Sequence, residues 1–327
     1  MNCERAATIA AKYLSRLVFV RTSSEPLHDR ERDVAGTAEI SDVLIVSGEM
    51  NTIRRVVVVV LDGLRPDAID VFGLRHIAQA RATGAYSMSA QTVLPSVTAC
   101  ALTSLFSGAS PEWHGMRSDK FKIPKSRGPL HPMPKMLAQH GFPSAVHRDQ
   151  IPFLFRGFAR QVARILGLTA TGFHNDGSVG IVAGARTTIA TQRCGLILTH
   201  WLDADRAGHA HGWMSPEYGA AARRMDGAFD ELVSRIHTSG RDDTLLIALA
   251  DHGGGGAKHD DHDSQHPLDT TIPIILSGAA VLAGPLAGPV SLLDVPATVL
   301  WALGVPRPST YAGRAIVEAF TEALAAA

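Results

Sequence analysis

The sequence is poor in cysteine, has no excess of charge of either sign and contains no long apolar run. Its three cysteines, Cys3, Cys100 and Cys194, match no zinc-ribbon or redox spacing, which argues against a disulfide scaffold. Lysine and arginine total 31, as do aspartate and glutamate, so charge does not indicate a nucleic-acid-binding module. No apolar run approaches the roughly 18 residues that a membrane-spanning helix needs. The few cysteines and the lack of a recognisable secretory signal together predict a cytoplasmic location.

The length of 327 residues fits one large α/β domain with insertions. Residues 1–50 include a charged, turn-rich stretch and are interpreted as an N-terminal extension with no assigned function. Met50 stands six residues before the first predicted strand and is an alternative start of the natural chain. Residues 51–327 are predicted to form the domain, with a small insertion at about residues 115–190. The sequence does not indicate an oligomeric state.

From Val56 onward, apolar strands alternate with helical patterns, which predicts βαβ units and a mostly parallel sheet. The run Val56–Leu61 is continuously apolar, as expected for a strand that is buried on both faces. Further strands are predicted at 143–147, 195–199, 245–250 and 272–276. Helices are predicted at 74–83, 97–106, 133–139, 153–166, 216–237, 294–303 and 315–324.

Three of these strands are followed closely by carboxylates and imidazoles, namely Asp62, Asp205, His209, Asp251 and His252. The carboxyl ends of parallel strands meet at one edge of a sheet, where ligands bind. Three carboxylates and two imidazoles at one edge repel one another unless a cation holds them together. Carboxylates with neutral imidazoles suit zinc, and also manganese or iron. The sequence therefore predicts a metal site at this edge.

Histidine spacing supports the metal site. Eight of the 15 histidines lie between His200 and His266. Asp205 and His209 are four residues apart, so both can reach one ion if their segment is helical. We expect one histidine of the loop after Gly253–Gly256 to be a further ligand, the candidates being His259, His262 and His266. Taken alone, each motif also fits a surface helix or a solvated loop.

A nucleophile is expected between Thr92 and Thr103, where a predicted strand gives way to a helix. A hydroxyl at a helix N-terminus lies beside exposed N–H groups that also bind phosphate oxygens. Metal coordination lowers the pKa of such an alcohol and allows attack at neutral pH. The alternative is that Ser96 or Thr98 only caps the helix. The residues alone leave Ser96, Thr98 and Thr103 open.

The order of these motifs resembles the alkaline phosphatase superfamily. The matching motifs run from Val56 to the C-terminus: Asp62-Gly63, Pro95-Ser-Val-Thr98, Ser107–Gly115, Asp205-Arg-Ala-Gly-His209 and Asp251-His252-Gly253. The chain is most similar to the branch of type I phosphodiesterases, nucleotide pyrophosphatases and phosphonoacetate hydrolases. The resemblance implies a three-layer α/β sandwich with helices on both faces of the sheet. It also implies two divalent ions, usually zinc, and a small anionic phosphoester or phosphonate substrate.

The resemblance also implies roles for individual residues. One ion would be bound by Asp62, Asp251 and His252, with Thr98 as its nucleophilic ligand and the site of a phosphothreonine intermediate. The other ion would be bound by Asp205, His209 and His262, with His266 and His259 as less favoured alternatives to His262. Thr98 is preferred to Thr92 because the Pro-Ser-x-Thr spacing matches the phosphonoacetate hydrolase pattern.

The chain departs from the family pattern at Asp119, where several members carry an asparagine that supports a phosphate oxygen. A carboxylate there would repel phosphate, so Lys120 or Arg117 is expected to take this role, or the substrate is unusual. The expected function is metal-dependent hydrolysis of a phosphodiester or nucleotide pyrophosphate. The alternatives are a phosphonate hydrolase, a phosphomonoesterase and a catalytically inactive metal-binding scaffold. The sulfatase branch is set aside because no Cys-x-Pro-x-Arg or Ser-x-Pro-x-Arg sequence is present.

Overall fold

The computed structural model describes residues 53–119, 125–240 and 242–321. Two predictions, the N-terminal extension at residues 1–50 and the role of Lys120, lie outside these residues. Within them, the chain folds as an eight-stranded sheet between two layers of helices, which confirms the predicted α/β sandwich.

The sheet has the strand order β4-β3-β5-β1-β6-β7-β2-β8. In chain order the strands are β1 Arg55–Leu61, β2 Ala85–Gln91, β3 Ser144–Asp149, β4 Ala170–His174, β5 Gly195–Trp201, β6 Thr244–Leu249, β7 Thr271–Ser277 and β8 Gly284–Pro285. Strand β7 runs antiparallel to its neighbours β6 and β2, and the other pairings in the sheet are parallel. The predicted mostly parallel sheet is therefore confirmed.

The helices form two layers. They are α1 Ala68–Val71, α2 Arg75–Thr83, α3 Thr98–Ser107, α4 Pro111–His114, α5 Met133–Gln139, α6 Phe153–Ile165, α7 Gly177–Thr191, α8 Asp203–His211, α9 Pro216–Thr238, α10 Pro267–Thr270 and α11 Asp294–Ala302. Helices α2, α7 and α8 pack with α9, whereas α3, α5 and α11 pack together. The segment Asp203–His211 is helical, as the spacing of Asp205 and His209 requires.

Strand β1 is the centre of the core. Its residues Val56–Leu61 are at most 1% exposed, because β5 and β6 flank the strand and helices cover both faces. The first residue of β1, Arg55, is also fully buried. Its guanidinium donates hydrogen bonds to the Thr244 and Ser239 hydroxyls, each at 2.9 Å, and to the Ile189 carbonyl at 2.7 Å. These bonds join the amino ends of β1 and β6 to α7 and α9.

Much of the segment predicted as a small insertion, at about residues 115–190, contributes to the central layers of the fold. Residues 144–190 supply β3 and β4 of the central sheet and the helices α6 and α7. Strand β4, with the sequence Ala-Thr-Gly-Phe-His, has five residues and few large apolar side chains. It lies at the edge of the sheet, where a strand is less buried than at the centre. Helix α7 contains glycine where it approaches β4, since a Cβ at Gly184 would lie 2.0 Å from the His174 ring. These features hid both elements from the periodicity analysis.

The prediction of a last helix at 315–324 is wrong for the residues that the structure describes. Only a short 3-10 turn, Val317–Ala319, forms there. The flanking backbone pairs with residues 280–282 instead, since Leu282 N–H donates to the Ala319 carbonyl and Thr321 N–H donates to the Ala280 carbonyl. Tertiary pairing thus overrides the local helical pattern.

Candidate metal centre and nucleophile

The carboxyl ends of β1, β5 and β6 bring three aspartates together at one edge of the sheet. Asp62 directly follows β1, Asp251 lies two residues beyond β6, and Asp205 lies in the helix that follows β5. The Asp205 N–H donates to the Asp62 carbonyl at 3.1 Å, and the Gly63 N–H donates to an Asp251 carboxylate oxygen at 3.3 Å. Gly63 has φ +70°, and a Cβ there would lie 3.0 Å from the Asp205 backbone, so glycine permits this close approach.

The first predicted ligand group surrounds the imidazole of His252. Its Nε2 atom lies 3.2 Å from Asp62 Oδ1, 3.6 Å from Asp251 Oδ2 and 3.1 Å from Thr98 Oγ1. All four residues are 0% exposed. One donor atom from each of Asp62, Asp251 and His252 lies within 4.8 Å of the others. The structure therefore places these four residues together, as the sequence predicts.

The second predicted group surrounds Asp205. Its Oδ1 atom lies 3.3 Å from His209 Nε2 and 3.6 Å from His262 Nε2, and the two imidazole nitrogens are 3.2 Å apart. The His252 and His262 rings stack with centroids 3.7 Å apart, so the two groups adjoin each other. The His209 side chain is 28% exposed, in contrast to 4% for that of His262. The second group therefore lies nearer to solvent.

The three imidazoles share one orientation. The Nδ1 atom of His252 bonds the Gly253 carbonyl at 2.9 Å, that of His209 bonds the Asp260 carbonyl at 2.9 Å, and that of His262 bonds the Ser96 carbonyl at 2.7 Å. Because a carbonyl only accepts, each Nδ1 carries the proton. Each Nε2 atom therefore faces the carboxylates and, in a neutral imidazole, can bind a metal ion, which is the arrangement of histidines in metal sites.

The electrostatics of the cluster favour a cation. Burial alone would lower the pKa of His252, but the carboxylates of Asp251 and Asp62 raise it to about 10. Burial alone would raise the pKa of Asp62, yet hydrogen bonds from His200 and His252 hold it well below its ordinary value. Positive charge is thus stabilised between the carboxylates. Because carboxylate oxygens and imidazole nitrogens are also ligands of zinc, manganese and iron, the residues present fit divalent cations.

The hydroxyl groups of the candidate nucleophiles have different partners. Thr92 donates to the Asp251 carbonyl, Ser96 donates to the Ser264 carbonyl at 2.9 Å, and Thr103 donates to the Ala99 carbonyl at 2.6 Å. The Thr98 hydroxyl instead faces the His252 imidazole, within the first ligand group. Thr98 is also the first residue of α3, so the free N–H groups of that helix adjoin its side chain.

One of those N–H groups is occupied by Asp119. The Ala99 N–H donates to Asp119 Oδ1 at 2.9 Å, which places a carboxylate beside Thr98. Arg117, one of the residues expected to support a phosphate oxygen, forms an exposed ion pair with Glu112 at 3.2 Å. The alternative expectation for Lys120 stays a prediction, since Lys120 lies outside the described residues.

The other two loop histidines are not part of the cluster that the structure describes. The His259 side chain is 81% exposed and lies 3.7 Å from the carboxylate of Asp260. The His266 Nδ1 atom accepts a hydrogen bond from the Leu268 N–H at 3.1 Å and so caps α10. Of the three candidates, His262 is the one that the loop brings to Asp205.

Sequence reasoning missed the residues that fix Asp62. His200 Nε2 lies 2.7 Å from Asp62 Oδ2, and both side chains are almost fully buried. The Gly63 carbonyl accepts hydrogen bonds from Trp213 Nε1 at 2.9 Å and from the Tyr218 hydroxyl at 3.0 Å. His200 could have been identified from its position near the end of β5, in register with Val60 of β1. Trp213 and Tyr218 carry no such signal, because they follow α8 in an ordinary apolar pattern.

Comparison with known proteins gives one family match. A family model described as type I phosphodiesterase / nucleotide pyrophosphatase matches residues 56–136 and 158–286. The catalytic subunit of human GPI ethanolamine phosphate transferase 3 is 28% identical over 146 residues, which cover 43% of this chain and 13% of that protein. The mouse protein is 27% identical over 130 residues, which cover 38% and 11%. The chain therefore matches only a small part of these relatives.

Several solved structures share the fold. Murine ectonucleotide pyrophosphatase / phosphodiesterase 5, as an inactive variant in complex with AMP, has a TM-score of 0.62 and 12% identity over 78% of this chain and 96% of that chain. A phosphonate monoester hydrolase from Silicibacter pomeroyi has a TM-score of 0.59 and 14% identity over 81% and 75%. Lipoteichoic acid synthase LtaP from Listeria monocytogenes has a TM-score of 0.58 and 14% identity over 84% and 76%. Among the described residues, no helix has the length and apolar character needed to cross a membrane.

Proposed function

The chain belongs to the type I phosphodiesterase / nucleotide pyrophosphatase family, and we propose that it hydrolyses phosphodiester or nucleotide pyrophosphate bonds with Thr98 as its nucleophile. The observation that carries this proposal is the position of the Thr98 hydroxyl, 3.1 Å from His252 Nε2 and beside two buried carboxylates. A small phosphoester is the substrate class that this arrangement of hydroxyl, helix N-terminus and metal ligands suits best.

Two divalent cations, of which Zn²⁺ suits the donor set best and Mn²⁺ or Fe also fit, would complete the site. Asp62, Asp251, His252 and the Thr98 hydroxyl would hold one ion. Asp205, His209 and His262 would hold the other. When bound, such a pair lowers the pKa of an attacking hydroxyl and neutralises charge on the phosphoryl oxygens.

The other candidate hydroxyls are less suited to attack. Those of Thr92, Ser96 and Thr103 donate to backbone carbonyls, and attack would cost each of them that hydrogen bond. The Thr98 hydroxyl has no such carbonyl partner among its described contacts and faces an imidazole nitrogen.

In the proposed reaction, Thr98 Oγ1 forms a bond to phosphorus while the bond from phosphorus to the leaving oxygen breaks. The Thr98 proton passes to the leaving oxygen, and the leaving group departs as an alcohol or a nucleotide. The intermediate is a phosphothreonine that keeps the other ester group of the substrate. Water then attacks phosphorus, the bond between phosphorus and Oγ1 breaks, and one proton of the water restores the Thr98 hydroxyl. The position of Thr98 at the start of α3 places the helix N-terminus beside the negative phosphoryl oxygens. The carbonyl bonds of His252, His209 and His262 keep the imidazoles oriented throughout.

Asp119 supports a diester substrate over a monoester. Its carboxylate lies on the N–H of the residue after Thr98, at the same helix N-terminus. A phosphomonoester carries about −1.5 to −2 charge at pH 7, whereas a diester carries about one negative charge less. The carboxylate therefore repels a monoester more strongly. We expect Asp119→Asn to raise kcat/KM for p-nitrophenyl phosphate about tenfold relative to that for bis(p-nitrophenyl) phosphate.

The test of the nucleophile compares Thr98→Ala with Thr92→Ala in steady-state hydrolysis of bis(p-nitrophenyl) phosphate by zinc-loaded protein. Loss of the nucleophile is expected to lower kcat by at least about 10³-fold. The Thr92 variant should retain turnover, because that hydroxyl only bonds a carbonyl. Full turnover in Thr98→Ala would exclude the proposed mechanism.

The substrate class is tested with the same protein on p-nitrophenyl phosphate. Preference for the diester supports the phosphodiesterase, and nucleotides would be the next substrates. Preference for the monoester would replace it with a phosphatase. Inactivity on both, with metal bound, would favour a phosphonate hydrolase or an inactive scaffold.

A further inference from the structure

The outer face of α6 exposes an unusual number of large apolar side chains. The exposed fractions are 80% for Phe153, 87% for Leu154, 42% for Phe158 and 47% for Ile165. Ten large apolar residues are exposed in the part of the chain that the structure describes, and four of them lie on this one helix. Such a concentration differs from the scattered exposure that is normal for a protein surface.

Arginine is the charged residue of this face. Arg160 and Arg164 are exposed, and residues 151–175 contain no aspartate or glutamate. Successive residues are about 100° apart around the helix axis, so Leu154, Phe158 and Ile165 fall within one arc of about 40°. The two arginines fall within a second arc of about 40°. Phe153 falls on the same arc as the two arginines, at the N-terminal end of the helix. The exposed surface of α6 therefore combines an apolar stripe with a second stripe of one aromatic and two basic side chains.

The inner face of α6 is already packed. Ala159, Val162 and Ala163 are buried against the body of the protein. Phe153 and Leu154, which are 80% and 87% exposed, are consequently not needed to attach the helix. The N-terminus of α6 follows the end of β3 by four residues, so Phe153 and Leu154 lie at the same edge of the sheet as the candidate metal centre.

We propose that this face of α6 docks onto an anionic lipid surface. Phe153 and Leu154 would enter the headgroup region while Arg160 and Arg164 pair with lipid phosphates, as in interfacial amphipathic helices. Charge complementarity selects this occupant. In a symmetric dimer the same face would meet itself, and the arginines of the two copies would repel each other. The proposal does not depend on the hydrolytic reaction proposed above.

The experiment is co-sedimentation of the full chain with vesicles of phosphatidylglycerol and, separately, of phosphatidylcholine. The protein is expected to bind the anionic vesicles and to be released by high salt. Arg160→Gln with Arg164→Gln should weaken binding about 30-fold, since each basic residue near the surface contributes about 1 kcal/mol. Phe153→Ser with Leu154→Ser should also weaken binding to the anionic vesicles, by a factor that does not change with the salt concentration.

The matched controls are Arg75→Gln and Leu282→Ser, which change an exposed arginine and a 50% exposed leucine elsewhere on the molecule. Both controls should bind as the unmodified protein does, and the thermal unfolding of every variant should confirm an intact fold. Absence of binding to anionic vesicles would overturn the proposal and leave an acidic protein partner as the occupant. Binding that the α6 variants do not change, or that the controls reduce equally, would also overturn it.

Discussion

The two ends of β1 carry buried charges of opposite sign in very different surroundings. Arg55, at the amino end, donates hydrogen bonds to the Thr244 and Ser239 hydroxyls and to the Ile189 carbonyl, which are neutral groups. Asp62, at the carboxyl end, is equally buried, but it lies beside His200 and His252, and His252 also faces the carboxylate of Asp251. The environment of Asp62 thus gathers several groups that ionise.

The difference shows how a buried charge can be classified from its partners. Neutral acceptors satisfy the guanidinium of Arg55, so this residue joins secondary-structure elements and stabilises the fold. Like charges around Asp62 cost stability unless a cation compensates for them, and such clusters mark functional sites. Substitutions at the two ends should therefore separate activity from stability.

The largest expected effect is the loss of activity in Asp62→Asn. The amide has the shape of the carboxylate but not its charge, so metal binding weakens and the transition state loses several kcal/mol of stabilisation. We expect kcat/KM to fall on the order of 10³-fold. Hydrolysis of bis(p-nitrophenyl) phosphate measures the effect. The free energy of unfolding should also fall, because the neutral amide no longer pairs as an anion with His200 and His252. The variant should nevertheless remain folded, so that its turnover can be measured.

Asp226→Asn is the matched control for this substitution. Asp226 is also buried, but its carboxylate accepts the His76 and Ile77 N–H groups at the start of α2, away from the cluster. It should keep its turnover and lose up to about 1 kcal/mol of stability through the helix dipole. If both variants kept full activity, the distinction between the two ends of β1 would be wrong.

The opposite outcome is expected for Arg55→Met. Removal of the guanidinium leaves the buried Thr244 hydroxyl, the half-buried Ser239 hydroxyl and the Ile189 carbonyl without this donor, which should cost about 3 kcal/mol in the free energy of unfolding. Urea denaturation followed by circular dichroism measures the loss. Turnover per folded molecule should not change.

The neighbouring Arg54 is exposed, so Arg54→Met serves as the control and should leave the urea midpoint where it was. A large activity loss in folded Arg55→Met would show that the amino end of β1 also serves the site.

Much of the contrast could be predicted from the sequence. The continuous apolar run Val56–Leu61 predicted β1, and the position of Asp62 after it made this residue a candidate ligand at the strand end. The same reasoning predicted that Asp205 and Asp251 would join Asp62, because parallel strands end at one edge. The choice of His262 relied on the family resemblance, and the structure places its Nε2 atom near Asp205.

The rest depended on tertiary contacts that leave no periodic signal. The position of His200 near the end of β5 indicates the edge of the sheet at which it lies, but the sequence does not show that Asp62 is its partner. The edge strand β4 is weakly apolar, and the Thr98, Thr92, Ser96 and Thr103 hydroxyls could be distinguished only by their hydrogen-bond partners.

A smaller effect, on metal affinity, is expected from substitutions at His200. This residue acts through Asp62 and is a positioning residue at the carboxyl end of β1. His200→Phe removes the hydrogen bond to Asp62 Oδ2 and should lower metal affinity 10- to 100-fold, the usual consequence of losing such a partner. Titration with a chelator, followed by residual activity, measures that affinity. His200→Gln, which keeps a donor, should recover part of it. Equal behaviour of both variants would contradict the positioning role.

The smallest expected effect concerns His114, a buried histidine outside the site. Its Nδ1 atom accepts the Met116 N–H at 3.0 Å and its Nε2 atom bonds the Ser104 hydroxyl at 2.9 Å, so both nitrogens are engaged only when the ring is neutral. Burial lowers the pKa of His114 to about 4. In the unfolded chain the pKa is about 6.5. Between these pH values the unfolded chain binds a proton that the folded protein does not. The free energy of unfolding is therefore at its full value above about pH 6.5 and decreases as the pH falls toward 4.

At pH 5.5 this loss should be about 1.4 kcal/mol in the free energy of unfolding relative to pH 7.5. The carboxylates and histidines of the candidate metal centre also titrate in acid, so the measurement compares the unmodified protein with His114→Gln at both pH values. Glutamine has no titrating group, and the variant should show a pH-dependent loss smaller by that amount. An identical loss in both proteins would mean that the neutral state of His114 contributes nothing to stability. His114 would then differ from Arg55, whose neutral partners are expected to make it a structural group.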